Sequence, residues 1–330
     1  MNSVLAESIL SQAWFGLIGL MLILYVVTDG FDLGVGILSL LRARDEEAHR
    51  SVMIQSIGHV WDANETWLVA LGGALFGAFP SAYAMLLSKL YAPIMLLIAS
   101  LIMRGASIEF RHVAATRRLL WDRVFGFGSL LAAISQGVIL GEVITGLQPG
   151  ALDSCFVAVT VIGVVSGYAL LGATWLVKKT EGSLQRAARQ SSIVAVCTTV
   201  VSAIVLSIGT FTVSSIGRAH WTNPSVFALL VCCALIAAAA VCYIVYATCV
   251  GGESGPFHAS VVLFVTSFLG LVVSLFPDFV PGKLSIAAAA SNTSTLTFML
   301  IGIGAVFPVM LAYNLFQYHC FKGKAVLAGH

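Results

Sequence analysis

Two apolar stretches of this chain carry charges that lipid does not tolerate. Thr28-Asp29-Gly30-Phe31-Asp32 falls inside a run from about 14 to 41. His59-Val60-Trp61-Asp62-Ala63-Asn64-Glu65-Thr66-Trp67 falls inside a run from about 52 to 79. An ionisable group at bilayer depth costs about 2.5–3.5 kcal/mol on insertion scales, so such groups face protein or water. Charged and unpaired, Asp29, Asp32, Asp62 and Glu65 would cost on the order of 10 kcal/mol together. Something must hold them. Asp29 and Asp32 are three residues apart and share one helix face, and His59, Asp62 and Glu65 repeat that step. Carboxyl groups shut away from water can bind and release protons near neutral pH. A proton path needs such groups within reach of one another or of a water. The alternative is that they only bond neighbouring helices and subunits.

The elements that must position them are membrane helices. The chain has 330 residues, 59% hydrophobic and 10% charged, with mean hydropathy +0.97. A soluble domain carries about 25% charged residues, so soluble enzymes, secreted modules and nucleic-acid binders are excluded. The apolar runs are unbroken rather than alternating, which excludes a β-barrel. Runs near 14–41, 52–79, 82–104, 121–147, 153–177, 191–217, 223–249, 258–280 and 293–321 predict an all-α polytopic membrane protein of nine transmembrane helices. Basic residues fill alternate loops: Arg42, Arg44 and Arg50; then Arg104, Arg111, Arg117, Arg118 and Arg123; then Lys178, Lys179, Arg186 and Arg189; then Lys322 and Lys324. By the positive-inside rule the N-terminus is periplasmic and the C-terminus cytoplasmic. The first run is too long for a signal peptide and lacks a basic leader.

Spans 1 and 2 then form a hairpin about the loop at 42–51. Counted at 1.5 Å per residue, Asp29 and Asp62 are both about 17 Å from its basic end. Asp32 and His59 match one turn nearer that end, and Glu109 sits at the mouth of span 3. The expectation is a ladder from the cytoplasm inward: Glu109, then Asp32 and His59, then Asp29 and Asp62.

Other features weigh less. The seven cysteines lack a C-x-x-C pair and read as packing residues. Gly30-x-x-x-Gly34 and Gly73-x-x-x-Gly77 permit close helix approach. Trp14 and Trp121 suit an interfacial belt, while Trp61 lies at depth and can pack on a flat cofactor or in the core. His59 and His258 are conceivable haem ligands, though a lone histidine is more often a bonded core residue. Pro93 and Pro308 read as mid-span kinks.

Residues 28–36, Thr-Asp-Gly-Phe-Asp-Leu-Gly-Val-Gly, resemble the opening motif of subunit II of cytochrome bd-type quinol oxidases. Trp61-Asp62-Ala63-Asn64-Glu65-Thr66-Trp67-Leu68 resembles the W-D-x-N-E-x-W-L motif of that family, and Gly72-Gly73-Ala74-Leu75-Phe76 follows it. Arg104, Glu109, Phe110 and Arg111 fit the stretch after span 3, where an Asp often stands in place of Glu109. The motifs cover about residues 15–145. Ala63 and Thr66 look more like the cyanide-insensitive branch.

The resemblance implies a single membrane domain over 1–330: a four-helix bundle at about 14–147, then a second bundle and a last helix at about 153–321. It implies a multi-pass protein of the bacterial inner membrane, tightly bound to subunit I. That partner carries the quinol site and haems b558, b595 and d. A small single-span accessory subunit, quinol and dioxygen complete the set, and ubiquinone is a candidate structural ligand of this chain. The resemblance assigns a cytoplasmic proton path to Asp29 and Asp62 with Glu109 at its entry, and has Asp32 and Glu65 behind them and Trp61 packed toward the partner's haem. His59 joins as a second choice from its place in the ladder and not from the motif. It predicts no haem and no metal in this chain. Two rivals stand beside it. One is a proton-coupled secondary transporter, with a helix break at Thr28–Asp32. The other is a purely structural partner, its carboxylates serving as glue.

Overall fold

The computed structural model describes residues 2–43, 46–113, 116–213, 218 and 221–325. Arg44, one of the basic loop residues, lies outside them. The chain is helical nearly throughout. Helix α1 runs Asn2–Ser39, α2 Glu47–Gln55, α3 Trp61–Ala78, α4 Pro80–Lys89, α5 Tyr91–Val113, α6 Arg118–Ile144 and α7 Ala151–Lys179. Then come α8 Gly182–Val213, α9 Pro224–Cys249 and α10 Gly255–Leu275. A small antiparallel hairpin, β1 Asp278–Val280 and β2 Leu284–Ser285, precedes α11 Ile286–Ala289 and α12 Thr293–Cys320. Among the described residues eight helices are long and apolar enough to cross a membrane, and α3 with α4, bent by 118°, makes a ninth candidate.

The spans expected at 52–79 and 82–104 are misplaced. Residues 47–55 form a separate short helix, a turn follows at 56–60, and the membrane helix starts only at Trp61. It stops at Phe79, whose φ −134° and ψ 64° are non-helical, because the residue before a proline is pushed out of the helical region. Pro80 then opens α4, which is ten residues long, or about 15 Å, too short to span. The next membrane helix begins at Tyr91, nine residues later than the expected start at 82. Pro93 therefore lies in the first turn of α5, where proline is tolerated; only Pro308 sits inside a helix. The span expected at 258–280 ends at Leu275, and β1 follows.

Helix α1 is the hub, packing on α3, α6 and α7. Helix α5 lies on α6, α6 on α7, and α7 on α8; α9 pairs with α10, which returns to α7, while α12 lies against α3 and α1. The closest approach is α1 to α7 at Gly34 and Gly172, where a Cβ on either glycine would collide with the other helix's backbone. Beside it Phe31 stacks on Trp175 at 4.2 Å. At the other end of α1, Trp14 is fully buried and donates to the Leu296 carbonyl at 3.0 Å. It pins α12 and does not belong to an interfacial belt.

Candidate functional site

The fold gathers one helix face of α1, the start of α3 and the middle of α5. Asp29 and Asp32 on α1, Asn64 on α3 and Arg104 on α5 are all fully buried. Arg104 Nη1 lies 2.5 Å from Asp29 Oδ1, and Nη2 lies 2.8 Å from Glu65 Oε2. The Asn64 amide donates to Asp32 Oδ2 at 2.8 Å and to the Thr28 carbonyl at 3.2 Å, and accepts from the Tyr318 hydroxyl at 2.6 Å. Both Asn64 N–H groups and its oxygen are thus engaged. Asp29 Oδ2 and Asp32 Oδ1 are buried without a hydrogen bond. Two carboxylates, Asp29 and Glu65, therefore share one guanidinium, a third, Asp32, is held by Asn64, and Asp29 and Asp32 each keep an unbonded oxygen. Such an arrangement has room to hold protons.

A second buried network continues from the first. Tyr25, one turn from Asp29 on α1, accepts from Gln136 Nε2 at 2.9 Å, and Tyr168 donates to Gln136 Oε1 at 2.5 Å.

Of the residues singled out in sequence, Asp29, Asp32 and Glu65 come together. Asp62, His59 and Glu109 do not join them. Asp62 is exposed in the first turn of α3, on a face shared with Thr66, Val69, Gly73 and Phe76. It is not at matching depth with Asp29. The depth count assumed that residues 52–62 climb one helix, whereas α2 and the turn at 56–60 use up that length. Asp32 is consequently level with Asn64 instead of His59, and Asp29 reaches the α3 side through Arg104 and Glu65. His59 is exposed in the turn, its ring stacked on Phe321 at 4.3 Å. Glu109 is exposed near the end of α5. Trp61 is half-buried, and a Cβ on Gly105 of α5 would lie 3.2 Å from its ring. Helix α1 runs unbroken through Thr28–Asp32, so the break that a transporter would use is not there.

Sequence reading missed Arg104, which it counted among loop arginines. The signal was the charge count itself: four carboxylates inside apolar runs require a cation, and Arg104 still sits within an apolar stretch. It missed a second cluster too. Asp122 of α6 is buried and accepts from Arg50 Nε at 2.8 Å and from Arg111 Nε at 2.5 Å, while Arg111 also donates to Ser51 at 2.8 Å. This knot ties α2, α5 and α6 at the basic end.

Among the described residues no group of three or more His, Cys, Asp or Glu side chains is placed to hold a metal ion. His258, like His59, is exposed. An apolar groove of about 380 Å³, lined by Phe15 of α1, Val226 and Leu229 of α9, and Val272 and Phe276 at α10, fits a hydrocarbon chain and offers no polar partner for a head group.

A polytopic helical protein with an ionic cluster buried between its first membrane helices is the class that fold and site define. The chain belongs to the family described as cytochrome bd terminal oxidase subunit II, whose model matches residues 10–321. It is 34% identical over 210 residues to the cytochrome bd-I ubiquinol oxidase subunit 2 of Escherichia coli (strain K12), covering 58% of this chain and 55% of that protein. The match thus spans about half the length of that relative. Over 340 residues it is 28% identical to the cytochrome bd ubiquinol oxidase subunit 2 of Bacillus subtilis (strain 168), covering 96% of each. The fold is that of a chain of the bd oxidase from Geobacillus thermodenitrificans, with TM-score 0.74 at 18% identity, covering 94% of this chain and 98% of that one.

Proposed function

We propose that this chain is the second subunit of a quinol oxidase of the bacterial inner membrane. In that complex a haem-bearing subunit I reduces dioxygen to water with electrons from quinol. The haems b558, b595 and d belong to the partner, where they supply electron transfer and oxygen reduction. The chain is one membrane domain, two four-helix bundles and a final helix, with its N-terminus outside. Family membership supports this, as does the meeting of basic residues at one end. There Arg123 donates to the Leu40 carbonyl at 2.9 Å and Arg50 pairs with Asp122. The apolar groove on α1, α9 and α10 suits the isoprenoid tail of a structural ubiquinone. A single-span accessory subunit belongs to the same proposal.

The chain's own work is to move protons. Reducing one dioxygen to two waters consumes four electrons and four protons, at a site buried against side reactions. The observation that carries the reading is the pair Asp29 and Asp32, fully buried, each with one carboxylate oxygen unbonded. Arg104 links Asp29 to Glu65, whose side chain is 25% exposed. Asp62, one turn away on the uncovered face of α3, takes the next position. An ionisable group at bilayer depth does not face lipid, so this face meets the partner and Asp62 hands protons on. Glu109 and His59 stand toward the basic end. Uptake from the cytoplasm, with quinol protons leaving outside, makes turnover electrogenic, worth about 2.3 kcal/mol per charge per 100 mV.

The first test is a reduced-minus-oxidised optical spectrum of the complex that purifies with the tagged chain, expected to show haem b and haem d bands from a second membrane subunit. The second is Asp62→Asn. Lost turnover in a haem-replete complex supports the relay; lost assembly with normal turnover per haem supports glue. A colourless chain that takes up a solute supports a transporter.

A further inference from the structure

At the basic end the turn at 56–60, the last turn of α7 and the chain beyond α12 enclose a cavity of about 250 Å³. Its walls include Ser56, His59, Trp175 and Lys179, and its inner side includes Tyr318. Its outer side is the segment after Cys320, held down at several points. Lys179 Nζ donates to the carbonyls of Phe321 at 2.5 Å and Gly323 at 3.0 Å. The Ala325 N–H donates to the Lys179 carbonyl at 2.8 Å. Lys324 pairs with Glu181 at 3.0 Å and Glu253 at 2.9 Å. The cavity is polar on several sides and has room for several waters, each needing about 30 Å³.

Tyr318 joins this cavity to the buried cluster, bonding Asn64, which bonds Asp32. We propose that the cavity is the aqueous inlet from which Asp32 takes protons, with the Tyr318–Asn64 hydrogen bond as its inner gate. The inference rests on the relay reading above and names its mouth. Asn64 cannot pass the proton itself. Its amide neither gains nor loses one at ordinary pH, and both its N–H groups and its oxygen are already bonded. Transfer therefore needs the Tyr318 hydroxyl to swing aside, letting cavity water reach the unbonded Asp32 Oδ1. There a hydronium breaks one O–H bond, the carboxylate forms one, and water is left. Tyr318 is a positioning residue, not a catalytic one. Glu109, by contrast, is exposed, and among the described residues no hydrogen bond joins it to Asp29 or Asp32.

The test uses the assembled complex in inside-out vesicles, carrying Ser56→Cys with Cys320→Ser so that the cavity presents one thiol. A membrane-impermeant sulfonated methanethiosulfonate is added, labelling is read by mass spectrometry, and quinol-driven oxygen consumption is compared before and after in the same sample. Full labelling is expected to slow turnover on the order of a hundredfold, the lower end of what a positioned proton-transfer group contributes. A thiol reductant restores it. Asp32→Asn in a haem-replete complex is expected to be as slow. Full labelling without effect, while Asp32→Asn is slow, overturns the inlet and leaves the relay standing. A thiol that cannot be labelled also overturns the inlet, because the cavity is then closed to water. Asp32→Asn with ordinary turnover overturns the relay and the inlet with it. Tyr318→Phe is expected to change the solvent deuterium isotope effect on turnover at unchanged haem content; an unchanged isotope effect overturns the gate.

Discussion

Arg104 Nη1 and Asp29 Oδ1 stand 2.5 Å apart, with neither side chain exposed to solvent. A membrane helix tolerates Asp29 because another helix brings a guanidinium to it at the same depth. Breaking a buried pair by removing one partner costs about 3–5 kcal/mol, since the other charge is left uncompensated. Arg104→Gln is therefore expected to lower the thermal unfolding midpoint of the purified complex sharply. Adding Asp29→Asn to it is expected to recover much of the loss, because the stranded carboxylate is gone. Equal instability of the single and double variants would show that the two residues are not energetically coupled.

Asp122 gives a contrasting case. It pairs with Arg50 and Arg111 at the basic end, whereas Arg104 serves Asp29 and Glu65. Asp122→Asn removes a buried carboxylate that bonds two guanidinium groups, at a cost of about 3–5 kcal/mol. The yield of assembled complex should fall while oxygen consumption per haem stays as in the parent. A fall in turnover per haem would place Asp122 on the proton route.

The membrane class, the charged motifs and the basic end were legible because composition and charge act locally. Helix boundaries between 47 and 91 were not. Residues 80–89 are apolar enough for a span, and only the non-helical Phe79 before Pro80 and the short length of α4 tell otherwise. The turn at 56–60, read as continuous helix, carried Asp62 to the wrong depth. The cluster was half legible. The i, i+3 spacing put Asp29 and Asp32 on one face, but nothing near them in sequence reveals that Arg104, 75 residues from Asp29, supplies the cation. Tyr318 was harder still, lying 254 residues from the amide it bonds.

The two small-residue motifs, equivalent in sequence, are expected to respond oppositely. A Cβ at Gly34 would strike the Tyr168 backbone, whereas Gly73 has nothing within 4 Å. Overpacking costs about 1–3 kcal/mol, so Gly34→Ala should destabilise the complex by separating α1 from α7. Gly73→Ala should be neutral or stabilising within this chain, because alanine favours a helix over glycine by about 0.8–1.0 kcal/mol. Thermal midpoints of the two variants decide it. If Gly73→Ala alone abolishes assembly, then the exposed face of α3 meets the partner at that residue.

The segment after Cys320 should be held by charge, and that hold has a defined pH window. Hydrogen bonds from Lys324 and Gln185 hold the Glu253 carboxyl below its usual range, and Glu253 with Glu181 pushes the Lys324 ammonium above its own. The Glu253 contribution is fully present above the ordinary carboxylate value, about 4.3, and is lost as pH falls through the depressed one. The Lys324 contribution is fully present below the ordinary lysine value, about 10.4, and is lost as pH rises through the raised one. Hydrogen exchange of residues 321–325 should therefore be flat between about pH 5 and 10, apart from the intrinsic exchange rate, and rise outside that range. These pairs are exposed, so salt should loosen the segment at fixed pH, the screening length shrinking from about 8 Å at 0.15 M to about 3 Å at 1 M. Protection that changes between pH 6 and 8 would show that these charge pairs do not hold the segment.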